Sequence, residues 1–232
     1  MNEKNNYELN EKKISVAVIR RLPRYFRYLR ELLNQGIDHI SSAELAQLMD
    51  VTASQIRQDL NCFGGFGQQG YGYNVENLYG QICELLGVSE GYCAVIVGAG
   101  NLGRALVRSP MFERRGVSPV AMFDVADNVV GTTVGDVPVY HMSELTGFCL
   151  SHKVDIGILT LPKDQAQSAL AALEEGGVRG IWNFTSSELD PRLEGSVVEN
   201  VHLGDSLMTL CYRMRNVSAE MRAADKPEET ES

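Results

Sequence analysis

The chain has 232 residues, 44% of them hydrophobic and 22% charged, a composition typical of a globular protein with one large or two small domains. The first 13 residues are polar and no 18 apolar residues run together, so the sequence predicts neither a signal peptide nor a membrane-spanning helix, and we expect a cytoplasmic protein. Five cysteines without a C-x-x-C pair and four scattered histidines argue against disulfides and against a metal site.

The net charge of −9 is unevenly distributed along the chain. Residues 1–80 hold 9 basic and 9 acidic side chains, whereas residues 81–232 hold 12 basic and 21 acidic ones. Seven basic residues and no acidic one lie between Lys12 and Arg30. This asymmetry predicts two domains with different partners, and it keeps a nucleic acid open as the partner of the first.

A helical segment is predicted to start after Ser15, a good N-cap, and to stop at Gly36. Pro23 predicts either a kink or a fresh helix start. The apolar residues at helical spacing are Leu22, Tyr25, Phe26, Leu29 and Leu33. Arg20, Arg24 and Arg27 share the outer face, which is either a solvated charged face or a surface for nucleic acid.

Two capping boxes follow, at residues 41–44 and 52–55, and each opens a short amphipathic helix. The three-residue turn between the helices predicts a helix-turn-helix. Its second helix would lie in a major groove of DNA, with its early residues towards the base edges. Ile56 and Leu60 are expected to pack inward. The candidate base readers are Ser54, Gln55, Arg57 and Gln58.

Residues 63–73 alternate glycines with aromatic residues and glutamines, which predicts a tight hairpin whose backbone can approach phosphates or a narrow minor groove. A glycine-rich loop alone is usually only a loop, but its place directly after a helix-turn-helix favours the wing of a winged helix. The candidate DNA contacts of this wing are Gln68, Gln69, Gly70 and Tyr71. Asn74 then caps a helix, residues 75–87, that closes the first domain.

The second domain opens with an apolar strand, residues 92–97, that runs into three glycines spaced G-x-G-x-x-G before a helix. Such spacing suits a tight turn, close approach of a pyrophosphate and close helix packing, with the anion at the helix N-terminus. Asp124 ends the next strand 21 residues past Gly103, where it would bind the ribose of NAD, and no arginine follows within ten residues to favour NADP. The alternative is a structural turn and a surface carboxylate. The candidate contacts are Gly98, Ala99, Gly100, Asn101, Leu102, Gly103 and Asp124.

Further strands alternate with helices, which predicts a right-handed, mostly parallel sheet with ligands at the carboxyl ends of its strands. The predicted strands are residues 137–140, 154–161, 181–184 and 197–201, and the helices are residues 144–150 and 164–175. Candidate nucleotide contacts at the strand ends are Thr160, Leu161, Pro162, Asn183, Phe184 and Thr185.

The last predicted helix, residues 204–224, carries an apolar stripe that either packs on its own sheet or contacts a second subunit. A symmetric dimer would also give the helix-turn-helix a second half-site. The stripe consists of Leu207, Leu210, Cys211, Met214, Val217 and Met221. The predicted domains are residues 1–86, residues 87–203 and a dimerisation helix and tail, residues 204–232.

Residues 21–29, 55–60, 63–64 and 70–73, joined to the fingerprint at residues 97–103, closely resemble the Rex family of redox-sensing repressors from about Ser15 to the last helix. The resemblance implies an α/β homodimer with winged-helix DNA-binding domains and Rossmann-like NAD(H)-binding domains, the last helix being swapped into the partner. It also implies a repressor that acts when NADH is scarce and leaves a palindromic operator when NADH binds.

Carried over by position, the resemblance implies that Arg57 contacts DNA, that Asp124 holds the adenosine ribose, and that Arg27 couples the winged helix to the nucleotide domain. The chain departs from the family at Ser109 and His202, where a tyrosine and an aspartate help to couple nucleotide state to that arginine. Many members also carry Lys or Arg where this chain has Gln58, Gln68 and Gln69, which predicts fewer phosphate contacts and a weaker salt dependence.

Three hypotheses follow, and the first is a dimeric repressor that responds to the NADH/NAD+ ratio. The second is a divergent Rex-like DNA-binding regulator that reads another nucleotide or none. The third is a small NAD-dependent dehydrogenase, which is opposed by the lack of a separate substrate domain and of a His, Lys or Tyr with an acid–base partner. We therefore expect no enzymatic activity.

Overall fold

The computed structural model describes residues 14–62, 67–68 and 71–224, with the backbone alone at residues 67–68 and 218–224. The chain divides into two compact units at Glu90 and Gly91. Over the described ranges, every helix is too short or too polar to cross a membrane.

The N-terminal unit is a winged helix-turn-helix, as predicted. Its elements are α1 (Val16–Ile19), α2 (Leu22–Asn34), β1 (His39–Ile40), α3 (Ser42–Met49), α4 (Ala53–Asn61), β2 (Gly67–Gln68), β3 (Gly72–Asn74) and α5 (Val75–Leu85). The three strands form an antiparallel sheet in the order β1-β3-β2. Pro23 lies at the start of α2, so it marks a fresh helix rather than a kink.

The two predicted capping boxes differ in the structure. Ser41 and Glu44 exchange both hydrogen bonds, at 3.1 and 2.8 Å, which completes the first box. Thr52 accepts from the Gln55 amide at 3.1 Å, but the Gln55 side chain bonds Asp59 instead of the Thr52 backbone. The prediction of a full second box was therefore wrong, because a buried carboxylate on the same helix competes for the glutamine.

A single apolar cluster holds this unit together. Ile56 and Leu60 of α4 are buried as predicted, against α2, α3 and α5. The largest fully buried side chains around them are Tyr25, Leu29, Leu45, Met49, Leu78 and Ile82. The inner face of α4 is thus fixed by packing, which leaves its outer face to solvent.

The C-terminal unit is a Rossmann-like α/β fold. Its elements are β4 (Tyr92–Val97), α6 (Asn101–Val107), β5 (Val117–Asp124), β6 (Thr133–Val134), β7 (Val137–His141), α7 (Leu145–His152), β8 (Ile156–Leu159), α8 (Ala166–Glu175), β9 (Gly180–Asn183), β10 (Val197–Asn200) and α9 (Leu203–Ala224). The sheet order is β10-β9-β8-β4-β5-β7-β6, and only β6 pairs antiparallel among these strands. Without β6 this is the doubly wound order 3-2-1-4-5-6, whose switch point lies between β4 and β8.

Both faces of this sheet are covered by apolar clusters. The strands β4, β5 and β8 are nearly continuous buried apolar runs, as expected of a parallel sheet. By contrast, α9 is exposed along residues 203–217, including Leu207, Leu210 and Val217. The alternative in which this helix packs on its own sheet is therefore not what the structure shows.

Candidate nucleotide cavity and DNA-binding surface

The fingerprint turn lies between β4 and α6 at the switch point of the sheet. Gly98 has a φ of +104°, and a Cβ there would lie 2.7 Å from the Thr160 carbonyl oxygen. Only glycine fits both constraints. The Thr160 hydroxyl contacts the Gly98 carbonyl oxygen at 2.9 Å, which fixes the end of β8 against the turn.

The other two glycines have opposite surroundings. A Cβ on Gly103 would collide with the Gly98 carbonyl oxygen and lie 2.8 Å from the Thr160 hydroxyl, so α6 packs closely on the sheet. A Cβ on Gly100 would meet no described atom within 4 Å, and its φ of −75° suits any residue. Packing within the chain therefore explains Gly103 but not Gly100, whose missing side chain leaves room for something outside the protein.

Asp124 ends β5 beside this turn with both carboxylate oxygens occupied by backbone donors. The Ala99 amide donates to Oδ2 at 2.7 Å and the Ala126 amide donates to Oδ1 at 2.9 Å. On the other side of the turn, the Arg104 Nε donates to the Ala99 carbonyl oxygen at 2.6 Å. These contacts fix the carboxylate next to the fingerprint, and its half-buried oxygens keep further lone pairs for a hydroxyl donor.

A cavity of about 460 Å³ opens over the turn at the carboxyl ends of β4, β5 and β8. Of the predicted nucleotide contacts, it is lined by Gly98, Gly100, Asp124, Thr160, Leu161 and Pro162. Its other lining residues were missed by the sequence reasoning: Val97, Phe123, Val125, Met142, Gln165, Ser168 and Ala169. They come mostly from strand ends and from the segments that lead into α7 and α8, where no motif marks them.

The remaining predicted contacts lie around the cavity rather than along its wall. Ala99 is buried in the turn, and in α6 Asn101 is exposed, Leu102 is half-buried and Gly103 is buried. Asn183 is fully buried and bonds Asn200 and Thr185, at 2.8 and 2.7 Å, while Phe184 packs on Trp182. The structure thus gives Asn183 and Thr185 bonds inside the chain, and their contact with a nucleotide stays a prediction.

In the N-terminal unit, α4 presents one exposed polar face. Three of the four candidate base readers, Ser54, Arg57 and Gln58, are exposed on it, and Asn61 continues it one turn further; their contact with DNA stays a prediction. The Arg57 Nη1 donates to the Ser42 hydroxyl at 3.0 Å, so its guanidinium rests on the start of α3. The wing adds Tyr71, which is 76% exposed, while Gln68 is described by its backbone alone and Gln69 and Gly70 lie outside the described residues.

Gln55 is turned away from that face towards Asp59. This aspartate is fully buried and accepts four hydrogen bonds, two on each carboxylate oxygen. The donors are Arg21 Nε and Nη2 at 2.7 Å each, the Gln55 amide at 2.8 Å and the Tyr25 hydroxyl at 2.9 Å. We call Asp59, Arg21, Gln55 and Tyr25 the Asp59 cluster, and it joins the last turn of α4 to the start of α2.

The charges in the Asp59 cluster stabilise one another. Burial alone would raise the pKa of Asp59, but the hydrogen bonds from Arg21, Gln55 and Tyr25 lower it overall. The hydrogen bond to Asp59 raises the pKa of Arg21 despite partial burial, and burial together with that carboxylate raises the pKa of Tyr25. The charge of Arg21 is therefore paired with Asp59 inside the unit, so Arg21 does not add to the basic surface.

The other arginines of the basic run differ in exposure. Arg20 is exposed, whereas Arg24 is half-buried and donates through Nη2 to the Met49 carbonyl oxygen at the end of α3. Arg27 is exposed and lies 5.3 Å from the centroid of the Tyr28 ring. The coupling role of Arg27 and the DNA contact of Arg24 stay predictions.

Comparison with known proteins extends over both units. Residues 13–61 match the family described as "Putative DNA-binding protein N-terminus", and residues 89–187 match the family described as "CoA binding domain". The "Redox-sensing transcriptional repressor Rex" of Caldicellulosiruptor saccharolyticus is 46% identical, over 93% of this chain and 98% of its own length. The protein of the same name from Thermoanaerobacter pseudethanolicus is 50% identical, over 87% of this chain and 90% of its own length.

Two solved structures agree with this relationship. The crystal structure of RSP in complex with β-NAD+ and operator DNA is 46% identical with a TM-score of 0.83, covering 94% of this chain and 99% of that chain. The crystal structure of RSP in complex with β-NADH is 44% identical with a TM-score of 0.83, covering 92% of this chain and 100% of that chain.

Proposed function

The chain belongs to the Rex family of redox-sensing transcriptional repressors, and on that premise we propose that its C-terminal cavity binds NAD(H) to control DNA binding by its winged helix. The protein is a repressor that responds to the NADH/NAD+ ratio, not an enzyme. One observation carries the proposal: Gly100, which leaves open space where a side chain would be, and Asp124, whose carboxylate is held in place by the Ala99 amide, line the same cavity.

The residues present fit a dinucleotide. Gly100 leaves the space that a pyrophosphate needs against the turn, and the Cβ of any other residue would fill part of that space. Asp124 offers acceptor capacity to ribose hydroxyls, and its negative charge would repel the 2′-phosphate of NADP(H). When bound, the nicotinamide supplies the redox signal, because its ring is cationic and planar when oxidised and neutral and puckered when reduced.

The chain's own residues have separate parts in this proposal. The turn holds the dinucleotide through Gly98, Gly100 and Asp124, with Thr160, Leu161 and Pro162 forming the facing wall. The outer face of α4 reads DNA through Ser54, Arg57 and Gln58, and Tyr71 extends the contact from the wing. A nucleotide shifts DNA binding only through its difference in affinity for the bound and released arrangements.

The apolar exposed stripe of α9 supports a homodimer as part of the proposal. Leu207, Leu210 and Val217 are exposed in this chain, and a second copy would remove them from water. A dimer also fits a palindromic operator, because each winged helix would take one half-site. Since operator DNA lies in the cytoplasm of the bacterial relatives, the proposal places the protein there.

The deciding experiment is a gel-shift titration with a palindromic operator duplex across NADH/NAD+ ratios. We expect the bound fraction to fall as NADH rises at constant NAD+. If DNA is bound but no ratio changes the bound fraction, the sensing part is refuted and the DNA-binding part stands. Binding to the operator and to a shuffled duplex with equal affinity would refute the DNA-binding part.

The second candidate is a family member with an altered or lost nucleotide response, and it is favoured by Ser109 and His202. The Ser109 hydroxyl accepts a hydrogen bond from the Met111 amide at 3.3 Å, so it is used locally, and His202 is exposed. Calorimetry with NADH, NAD+, NADPH and ATP separates the candidates. Tight binding of NADH supports the first, whereas binding of another nucleotide or of none supports the second.

A further inference from the structure

The Asp59 cluster is a buried set of charged and polar side chains, and DNA contact does not explain it. Asp59 lies on the recognition helix but on its buried side, with none of its surface exposed. All four of its hydrogen bonds come from side chains of the same unit. A buried carboxylate is costly unless it is paired and fully bonded, so its presence calls for a reason other than packing.

The bonds fix α4 in two ways that apolar packing does not. Arg21 makes a bidentate, charge-assisted pair from the start of α2, and such a pair is directional. The Tyr25 hydroxyl, one helical turn further along α2, adds a second point of attachment. Ile56 and Leu60 hold α4 in the core, but apolar contacts alone tolerate small rotations about the helix axis.

Rotation about that axis decides which side chains face DNA. Ser54, Arg57, Gln58 and Asn61 occupy one exposed stripe of α4, and Asp59 lies on the opposite side. Because bases are read through hydrogen bonds with strict geometry, a small rotation weakens specific contacts more than contacts with phosphates.

We propose that Asp59 is a positioning residue for sequence-specific DNA recognition, which sets the rotation of α4 through Arg21 and Tyr25 and keeps Gln55 in this framework rather than on the reading surface. The inference rests on the proposed function, since it requires that α4 reads DNA. It concerns specificity, not affinity for DNA in general. Its prediction is that loosening the cluster lowers the ratio of specific to non-specific binding.

The ratio of specific to non-specific DNA binding distinguishes a residue that positions α4 from one that only stabilises the fold. A variant that only lowers the folded fraction weakens binding to every duplex by the same factor, so its ratio stays constant. A variant that lets α4 rotate weakens the specific complex selectively. The probes are a duplex selected by the full wild-type chain from a random library and a shuffled duplex of the same length and composition, both measured by fluorescence anisotropy at one salt concentration.

The test variants are Asp59→Asn and Tyr25→Phe. Asp59→Asn keeps the shape but removes the charge, and we expect the ratio to fall about tenfold. Tyr25→Phe removes one of the four donors at a buried site that DNA does not reach, and we expect a fall of about threefold. Tyr25→Phe also carries the test alone if Asp59→Asn does not fold.

Two matched controls lie in the same unit. Glu44→Gln removes the same charge at the exposed cap of α3, and Tyr79→Phe removes the hydroxyl of a half-buried tyrosine on α5, outside the Asp59 cluster. Both should leave the ratio unchanged. A ratio that also stays constant in Asp59→Asn and in Tyr25→Phe would overturn the proposal. If the wild-type chain selects no duplex, the proposed function has failed instead.

Discussion

The fingerprint turn of the C-terminal unit and helix α4 of the N-terminal unit each hold a candidate binding surface in place. The turn is fixed by close backbone packing, whereas the helix is fixed by side-chain hydrogen bonds. In the turn, backbone groups approach one another so closely that side chains are excluded at Gly98 and Gly103. In the helix, one buried carboxylate gathers donors from two helices. The turn should therefore be sensitive to added atoms, and the helix to lost hydrogen bonds.

The largest expected effect is that of Gly103→Ala. The new methyl group would collide with the Gly98 carbonyl oxygen, and because backbone cannot move aside cheaply, we expect the C-terminal unit to lose about 3 kcal/mol of unfolding free energy. Urea unfolding followed by fluorescence of Trp182, the single tryptophan, reports on this unit. A loss below about 0.5 kcal/mol would contradict the close packing of α6.

Gly100→Ala makes the matched comparison. Because a Cβ there meets no described atom within 4 Å, unfolding free energy should change by less than about 0.5 kcal/mol. NADH affinity should fall about tenfold or more, since the methyl group takes the space that the proposed binding mode gives to the pyrophosphate. Calorimetric titration measures this, with Gly147→Ala as the control, because a Cβ on Gly147 also meets no described atom within 4 Å but Gly147 lies on α7 outside the cavity lining. If the NADH affinity is unchanged, the dinucleotide does not bind against Gly100, and the proposed contact with the fingerprint turn is wrong.

On the side of lost hydrogen bonds, Thr52→Ala should destabilise the N-terminal unit by about 1 kcal/mol. The substitution removes the acceptor for the Gln55 amide at the start of α4, and no return bond from Gln55 compensates. Thr52→Ser keeps the acceptor and is the control. Amide hydrogen exchange at Ile56 and Leu60 follows this unit, and equal exchange rates in both variants would refute the cap.

The smallest effect is the response of the same unit to acid. The folded pKa of Asp59 is lowered from its ordinary 3.8, so its contribution to stability is present above that pH and is lost as the pH falls below it. We expect amide-exchange protection in the N-terminal unit, taken relative to the intrinsic exchange rate at each pH, to fall below about pH 4 in the wild type and to fall less in Asp59→Asn. Identical pH profiles would contradict the lowered pKa.

Much of the fold could be predicted because its signals are local. Ser41, Asn74 and Pro23 mark helix starts through short-range bonding, and the apolar runs of β4 and β5 report burial on both faces of a sheet. The two-residue strand β6 was missed, since so short a segment has no periodicity. The second capping box was wrong because the competing partner of Gln55 is a buried side chain.

The candidate site was predictable where backbone geometry demands a residue type. Gly98 and Gly103 are required by close approach, and Asp124 was indicated by its place as the last residue of β5. Asp59 was not recognised because its main partner, Arg21, lies 38 residues away and only the fold brings the two together. Met142 and Ser168 were missed because the segments that bring them to the cavity carry no motif, and only the fold places them there.

The two borders of the seven-stranded sheet have different consequences for self-association. At one border, β6 exposes only a two-residue strand, which offers little template for another chain. At the other, β10 is four residues long and carries the exposed Val197 and Glu199. On this sheet, β10 is therefore the edge more open to strand addition, and repulsion between the Glu199 carboxylates of successive copies discourages such growth there.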